Sequence, residues 1–173
     1  MRHALLPSPL GEILLIFDDD ALCGLYFVGQ KGQPAVGAQV ARDDAHPIAR
    51  RCVAHIARYF AGETVDFDVP LRLSGTPFQA RVWAALQGVA RGRVERYAEI
   101  ARRIGAPTAV RAVGAAVGRN PVSIFVPCHR VVGSDGSMTG YAGGLPRKLH
   151  LLRLEGVLGA GQQALPLPRA APA

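Results

Sequence analysis

Cys128 and His129 are immediate neighbours in the stretch NPVSIFVPCHRVVGSDGSMTGYAGG, residues 120–144. A thiol beside an imidazole suggests nucleophilic chemistry, with the imidazole as the base. Pro127 precedes the cysteine inside an apolar run, and proline interrupts strand pairing. A turn is therefore expected here rather than a central strand. Positive or hydrogen-bonding neighbours lower a thiol's pKa, and Arg130 follows directly. An ordinary thiol is about 3% thiolate at neutral pH, so complete ionisation would gain about thirtyfold, roughly 2 kcal/mol. That helps a reaction without accounting for it. Adjacent side chains point apart, so a bridging water is expected between His129 and the sulfur. The competing reading makes Cys128 a small buried hydrophobe.

An imidazole relay needs a third group to hold its tautomer. Glu155 is the candidate, because it continues the apolar stripe Leu145, Leu149, Leu152. Its helix reads PRKLHLLRLEG, opened by Pro146 and ended by Gly156. By position alone Glu155 reads as a solvated glutamate that opposes the helix macrodipole.

Other elements must hold these groups in place. GEILLIF and ALCGLYFVG, separated by DDD, suit an antiparallel hairpin. GQKGQPAVGAQVARDDA lacks periodicity and reads as a loop. Pro47 opens a helix with Ile48, Cys52, Ile56 and Tyr59/Phe60 on one face. Cys52 on that stripe and Cys23 in a strand read as core residues. VDFDVPL reads as a further strand. In SGTPFQARVWAALQG, Thr76 and Gln79 form a capping box, Pro77 takes the first helical position, and Phe78, Val82 and Leu86 face the core. RYAEIARRIG and PTAVRAVGAAVGRN then form a helix-turn-helix pattern across GAP. The second helix is unusual. Its non-core positions are Ala and Gly, with Arg111 and Arg119 the charged residues, and Gly114 costs roughly 1 kcal/mol in a helix interior. Either it packs closely in the core or it enters a DNA groove.

The charge distribution favours the groove. The chain has 173 residues, 49% of them hydrophobic, enough for one domain or two small ones. Residues 1–75 carry seven Lys/Arg against nine Asp/Glu, a net −2, whereas residues 76–173 carry thirteen against four, a net +9. Twelve of those thirteen are Arg, which forks onto phosphate. Such asymmetry points one half towards a polyanion. Three cysteines without a pairing rhythm, and no secretory or membrane-spanning run, lead to a cytoplasmic expectation with free thiols. No cofactor fingerprint occurs, and Cys23, Cys52, His46 and His55 lack zinc-site spacing. No cofactor and no metal are expected.

Taken together, NPVSIFVPCHRVVGSDGSMTGYAGG resembles the active-site signature of the methylated-DNA–protein-cysteine methyltransferases, the O6-alkylguanine-DNA alkyltransferases. GTPFQARVWAAL, YAEIARRIGAP, RAVGAAVGRNP and RKLHLLRLEG resemble the flanking family blocks in the same order. The likeness is continuous over about residues 74–156, and before that it is confined to SPLGEILL. It implies an α+β protein: an RNase H-like domain over residues 1–75, then a helical catalytic domain over 76–159. A Pro/Ala-rich disordered tail is expected over residues 160–173.

The resemblance also implies roles. Cys128 would accept the alkyl group, His129 would activate it through water, Glu155 would orient His129, and Asn120 would brace the turn. Tyr97 would displace the 3′ phosphate and meet the guanine edge, and Arg111 would enter the duplex in place of the extruded nucleotide. Gly114 would permit close approach to the minor groove. Tyr141, Gly143 and the Val131 backbone would line the lesion pocket, with Lys148 near it. The implied partner is double-stranded DNA containing O6-alkylguanine or O4-alkylthymine, bound by a monomer. Alkyl transfer would be irreversible and stoichiometric, because nothing in the site would hydrolyse a thioether. Three departures stand out. Ala142 replaces a serine of some relatives, as in the bacterial constitutive branch; Arg96 replaces a Ser/Thr N-cap; His150 replaces a frequent tryptophan. The rival readings are a non-catalytic lesion-sensing DNA-binding protein and a thiol hydrolase.

Overall fold

The apolar runs near the N-terminus pair as a meander. β1 (Arg2–Leu6), β2 (Ile13–Phe17) and β3 (Leu22–Phe27) are antiparallel, with Leu5 opposite Leu14 and Leu15 opposite Leu25. The DDD turn works because the Asp18 carboxylate accepts from the N–H groups of Asp20 and Ala21. β4 (Ala41–Arg42) joins β1 in parallel, giving the sheet order β3-β2-β1-β4. Sequence periodicity misses β4 because two residues are too few to carry an alternation. α1 (Pro47–Phe60) buries Ile48, Cys52, Ile56 and Tyr59, as its spacing predicts.

The computed structural model describes residues 1–165, which divide into two compact units. The first comprises residues 1–74 together with 121–125, and the second comprises 75–120 and the chain from 126. Residues 121–125, which follow α4 in the chain, thus cluster with the first unit. The reason is backbone pairing: Leu25 donates to Pro121 O at 2.9 Å and Ser123 donates to Leu25 O at 2.9 Å. VDFDVPL is not a regular strand. It is tied to β3 only at its end, where Leu22 donates to Pro70 O and a lone bridge joins Leu22 to Leu71. Pro70 has no N–H to extend a ladder.

The second unit is helical. α2 (Pro77–Gln87) starts at a complete Thr76/Gln79 capping box and buries Val82, Trp83 and Leu86. α3 (Tyr97–Arg103) and α4 (Val110–Val117) form the expected helix-turn-helix, and Trp83 Nε1 donates to Ala116 O at 2.9 Å, tying α2 to α4. Gly75 lies against the same indole, where a Cβ would come within 2.5 Å of the ring. The last helix, α5, spans Leu145–Leu154. β5 (Glu95–Arg96) and β6 (Val131–Val132) pair in parallel, Glu95 opposite Val131 and Arg96 opposite Val132, so the Cys128 turn enters at one end of the pair and α3 leaves from the other. Residues 160–165 are hydrogen-bonded in part: Gln162 O accepts from Arg153, and Leu165 N donates to Gly136 O. The remainder of the expected tail, residues 166–173, lies outside the described residues.

Candidate active site

The chain presents Cys128 through a tight turn. Val126 O accepts from Cys128 N at 2.8 Å around Pro127, whose φ of −81° and ψ of 62° define an inverse γ-turn. Proline suits this position because its ring fixes φ near that value and its missing N–H is not needed. Cys128–Arg130 then make one turn of 3₁₀ helix, as the proline implied. Asn120 braces the turn from the end of α4: its Nδ2 donates to Val126 O at 2.8 Å and to Cys128 Sγ at 3.1 Å. Four residues upstream of the cysteine, Ile124 adopts a φ of 71° with Phe125 N donating to Ser123 O, a positive-φ γ-turn. For a β-branched residue this conformation is strained by about 1–3 kcal/mol.

The His129–Glu155 pair is buried. His129 Nε2 lies 2.8 Å from Glu155 Oε1, and both side chains are inaccessible to solvent. Glu155 caps α5, yet it is buried rather than solvated. His129 Nδ1 is buried and has no hydrogen-bond partner among the described residues. With Nε2 as donor to the carboxylate, Nδ1 carries the free lone pair. The His129 ring makes no direct bond to the sulfur among the described residues, consistent with adjacent side chains diverging, although the His129 backbone N–H favours the thiolate.

Arg130 was missed as a member of this network. Sequence order suggests a positive neighbour for the thiol, but its guanidinium turns to Glu155, Nε to Oε2 at 2.8 Å and Nη2 to Oε1 at 2.9 Å. Nη1 donates to Val89 O at 2.5 Å. The signal available in the sequence was a charge in a mostly apolar segment, which when buried must find a counter-charge.

These contacts set the charges. Burial pushes the Cys128 thiol up, opposed by the Asn120 amide and the Lys148 ammonium. Burial also holds the His129 imidazole below its ordinary value, with Arg130 and Lys148 adding to that and Glu155 opposing it. Glu155 would be raised by burial, but hydrogen bonds from His129 and Arg130 outweigh this and keep it well below the carboxylate range. At neutral pH the resting site is a thiol, a neutral imidazole and a carboxylate. It is not a standing thiolate–imidazolium pair.

Lys148 is fully buried on α5, where burial lowers it to about 8. Its Nζ donates to Val131 O at 2.5 Å and to Thr139 O at 3.2 Å. Tyr97, the first residue of α3, donates its hydroxyl to the same Thr139 O at 3.1 Å. Thr139, which sequence reasoning did not single out, thereby joins α3 to α5. Tyr141 and Gly143 lie in the loop that follows, with Gly143 O accepting from Arg147.

The remaining expected residues lie on α4. Arg111, Ala112, Ala115, Gly118 and Arg119 are exposed, while Val113, Ala116 and Val117 face the core. The small residues therefore line an open face, not a packed seam. A Cβ on Gly114 would meet the Tyr97 ring at 3.9 Å, an ordinary contact, so the fold itself does not require glycine there. Of the departures, Arg96 provides no side-chain cap to α3, although Glu99 still accepts from Arg96 N at 2.6 Å. Ala142 is half-buried and His150 is exposed.

His55 is bonded to Asp68, the His46 ring packs on Phe17, and Cys52 is sunk in α1 with its thiol pushed up to about 12 by burial. Among the described residues no group of three or more His, Cys, Asp or Glu could hold a metal.

Comparison with known proteins agrees with this geometry. The 6-O-methylguanine DNA methyltransferase DNA-binding domain matches residues 77–157, and the ribonuclease-like domain of the same proteins matches residues 1–73. A methylated-DNA–protein-cysteine methyltransferase of Mycolicibacterium paratuberculosis is 45% identical, covering 90% of this chain and 92% of the relative. One from Methanosarcina acetivorans is 44% identical, covering 90% and 99%. The crystal structure of Mycobacterium tuberculosis OGT in complex with DNA superposes with a TM-score of 0.83 at 42% identity, covering 90% of this chain and 92% of that one. With both domains matched in order across nearly its whole described length, the chain belongs to the 6-O-methylguanine DNA methyltransferase family.

Proposed function

We propose that this protein repairs alkylated DNA by transferring the alkyl group of O6-alkylguanine, and of O4-alkylthymine, to Cys128. The observation that carries the reading is the buried chain of Asn120, Cys128, His129 and Glu155, poised for one nucleophilic displacement. The thiol proton passes to His129 Nδ1 through water, the sulfur attacks the alkyl carbon, and the C–O bond breaks. The departing guanine ends with one proton on its ring and the cysteine with a thioether. No group nearby can cleave that thioether, so each molecule acts once.

A cysteine so deep in the fold cannot reach a stacked base, so the nucleotide must be flipped out, at a cost of a few kcal/mol. The open face of α4, with Arg111 and Arg119 flanking Ala112, Ala115 and Gly118, suits entry into a minor groove. Arg111 fills the space left by the base, and Tyr97 works at its edge and at the 3′ phosphate. Tyr141, Gly143 and the Val131 backbone form the pocket wall. A sequence-independent grip follows from the surplus of arginine in residues 76–173. The protein acts as a monomer in the cytoplasm, and its three free cysteines fit a reducing compartment. Among the described residues no helix is long and apolar enough to cross a membrane.

Intact mass after incubation with an O6-methylguanine oligonucleotide tests the reaction. The wild-type chain is expected to gain one methyl group at Cys128. Cys128→Ala should gain nothing while keeping near wild-type affinity for the oligonucleotide. Unchanged wild-type mass with tight binding would leave a lesion sensor.

Two variants test the DNA-binding face. Arg111→Ala should slow repair of duplex DNA much more than reaction with free O6-benzylguanine, which needs no flipping. Equal losses on both substrates would contradict the gap-filling role. Gly114→Ala should raise the stability of the free protein by up to about 1 kcal/mol in urea unfolding, yet weaken duplex binding. Unaltered duplex affinity would show that no close backbone approach occurs at Gly114.

A further inference from the structure

Arg130 is the one member of the buried network without a part in the relay. Its guanidinium is tied at three points, twice to Glu155 and once to Val89 O. Glu155 Oε1 is consequently shared, accepting from both Arg130 Nη2 and His129 Nε2. We propose that Arg130 is a positioning residue for alkyl transfer, which holds Glu155 as a charged, two-pronged acceptor and thereby fixes the tautomer and basicity of His129. The inference rests on the alkyltransferase reading above.

A buried carboxylate with an imidazole as its sole partner is under strong pressure to neutralise, either by taking the imidazole proton or by rotating away. A bidentate guanidinium removes both options. It cannot surrender a proton, and its fork fixes the carboxylate plane. The proton leaving Cys128 then stops on the imidazole instead of running on to Glu155. Arg130 also acts against permanent protonation of His129, together with burial and the Lys148 charge. The ring thus stays neutral at rest, takes the proton only as sulfur attacks, and can release it again. The charged or titratable groups around it are Cys128 and Arg130 on its own turn, and Glu155 and Lys148 from α5. Tyr97 of α3 couples to Cys128, while Arg91 bonds Leu154 O.

The experiment is single-turnover transfer from free O6-benzylguanine to the full chain, from about pH 5 to about pH 9, in wild type, Arg130→Gln and Arg130→Lys. Losing the guanidinium makes both the ring and the carboxylate easier to protonate. The acid limb of the Arg130→Gln profile is therefore expected about one pH unit higher, beyond any overall loss of rate. Arg130→Lys should restore the limb to the wild-type position while remaining several-fold slower, because a point charge cannot grip two oxygens. A merely structural role predicts a loss uniform with pH, and that result would overturn the proposal. Should Arg130→Gln fail to fold, the ring ¹⁵N shifts of His129 in wild type decide. A proton on Nε2 with bare Nδ1 at neutral pH is expected, and a proton on Nδ1 overturns it. A wild-type chain that never accepts the benzyl group would instead refute the alkyltransferase reading, and the ring shifts would still be measurable.

Discussion

The constraint on which the catalytic unit depends is the buried carboxylate of Glu155. An unpaired carboxylate in such a place costs several kcal/mol, so it must be met by donors from more than one element. Arg130 meets it with two hydrogen bonds and His129 with one. Those bonds join α5 to the 3₁₀ turn that carries Cys128, and Arg130 extends the tie to Val89 after α2. The same bonds give the imidazole its direction, with Nε2 committed to the carboxylate and Nδ1 left bare. The reactive geometry is thus a by-product of satisfying one buried charge.

The resting charge state follows from that burial. Removing water raises the thiol and lowers the imidazole, so neither is ionised before substrate arrives. Asn120 and Lys148 act in the opposite sense on the sulfur and stabilise negative charge as it develops. Preorganised donors of this kind are most effective where water is excluded. A thiol held neutral until a lesion enters also suits a protein that can react once. Strain at Ile124 and an uncompensated glycine at position 114 are local costs that the fold tolerates, four residues before Cys128 and on the open face of α4.

Much of this was legible in the sequence. Pro127 announced the turn, the 76–79 capping box and its apolar stripe announced α2, and the small residues of α4 left a choice between a packed seam and an open face that the fold decides for the open face. The motif carried Cys128, His129, Asn120 and Glu155 into one site. What was not legible depended on long-range pairing. Glu155 looks solvated from its place at the end of a helix, and only the fold buries it. Arg130 looks like a helper of the thiol, yet its contacts lie across 25 residues of chain, at Glu155. Residues 121–125 join the first unit because β3 offers them a free edge, which no local pattern records. VDFDVPL has strand alternation, but Pro70 removes the donor that a ladder would need.

In the proposed mechanism the charge on Glu155 sustains proton transfer from Cys128 through His129. The most direct measurement is single-turnover transfer from O6-benzylguanine, wild type against Glu155→Gln, from about pH 6 to about pH 9. The substitution keeps shape while removing charge, so the imidazole becomes a weaker base. At neutral pH the rate should fall, with the part due to lost thiolate bounded near about 2 kcal/mol. Because hydroxide can replace the relay, the loss should shrink as pH rises. Superimposable wild-type and Glu155→Gln profiles would contradict the relay and leave Cys128 and His129 acting without the carboxylate.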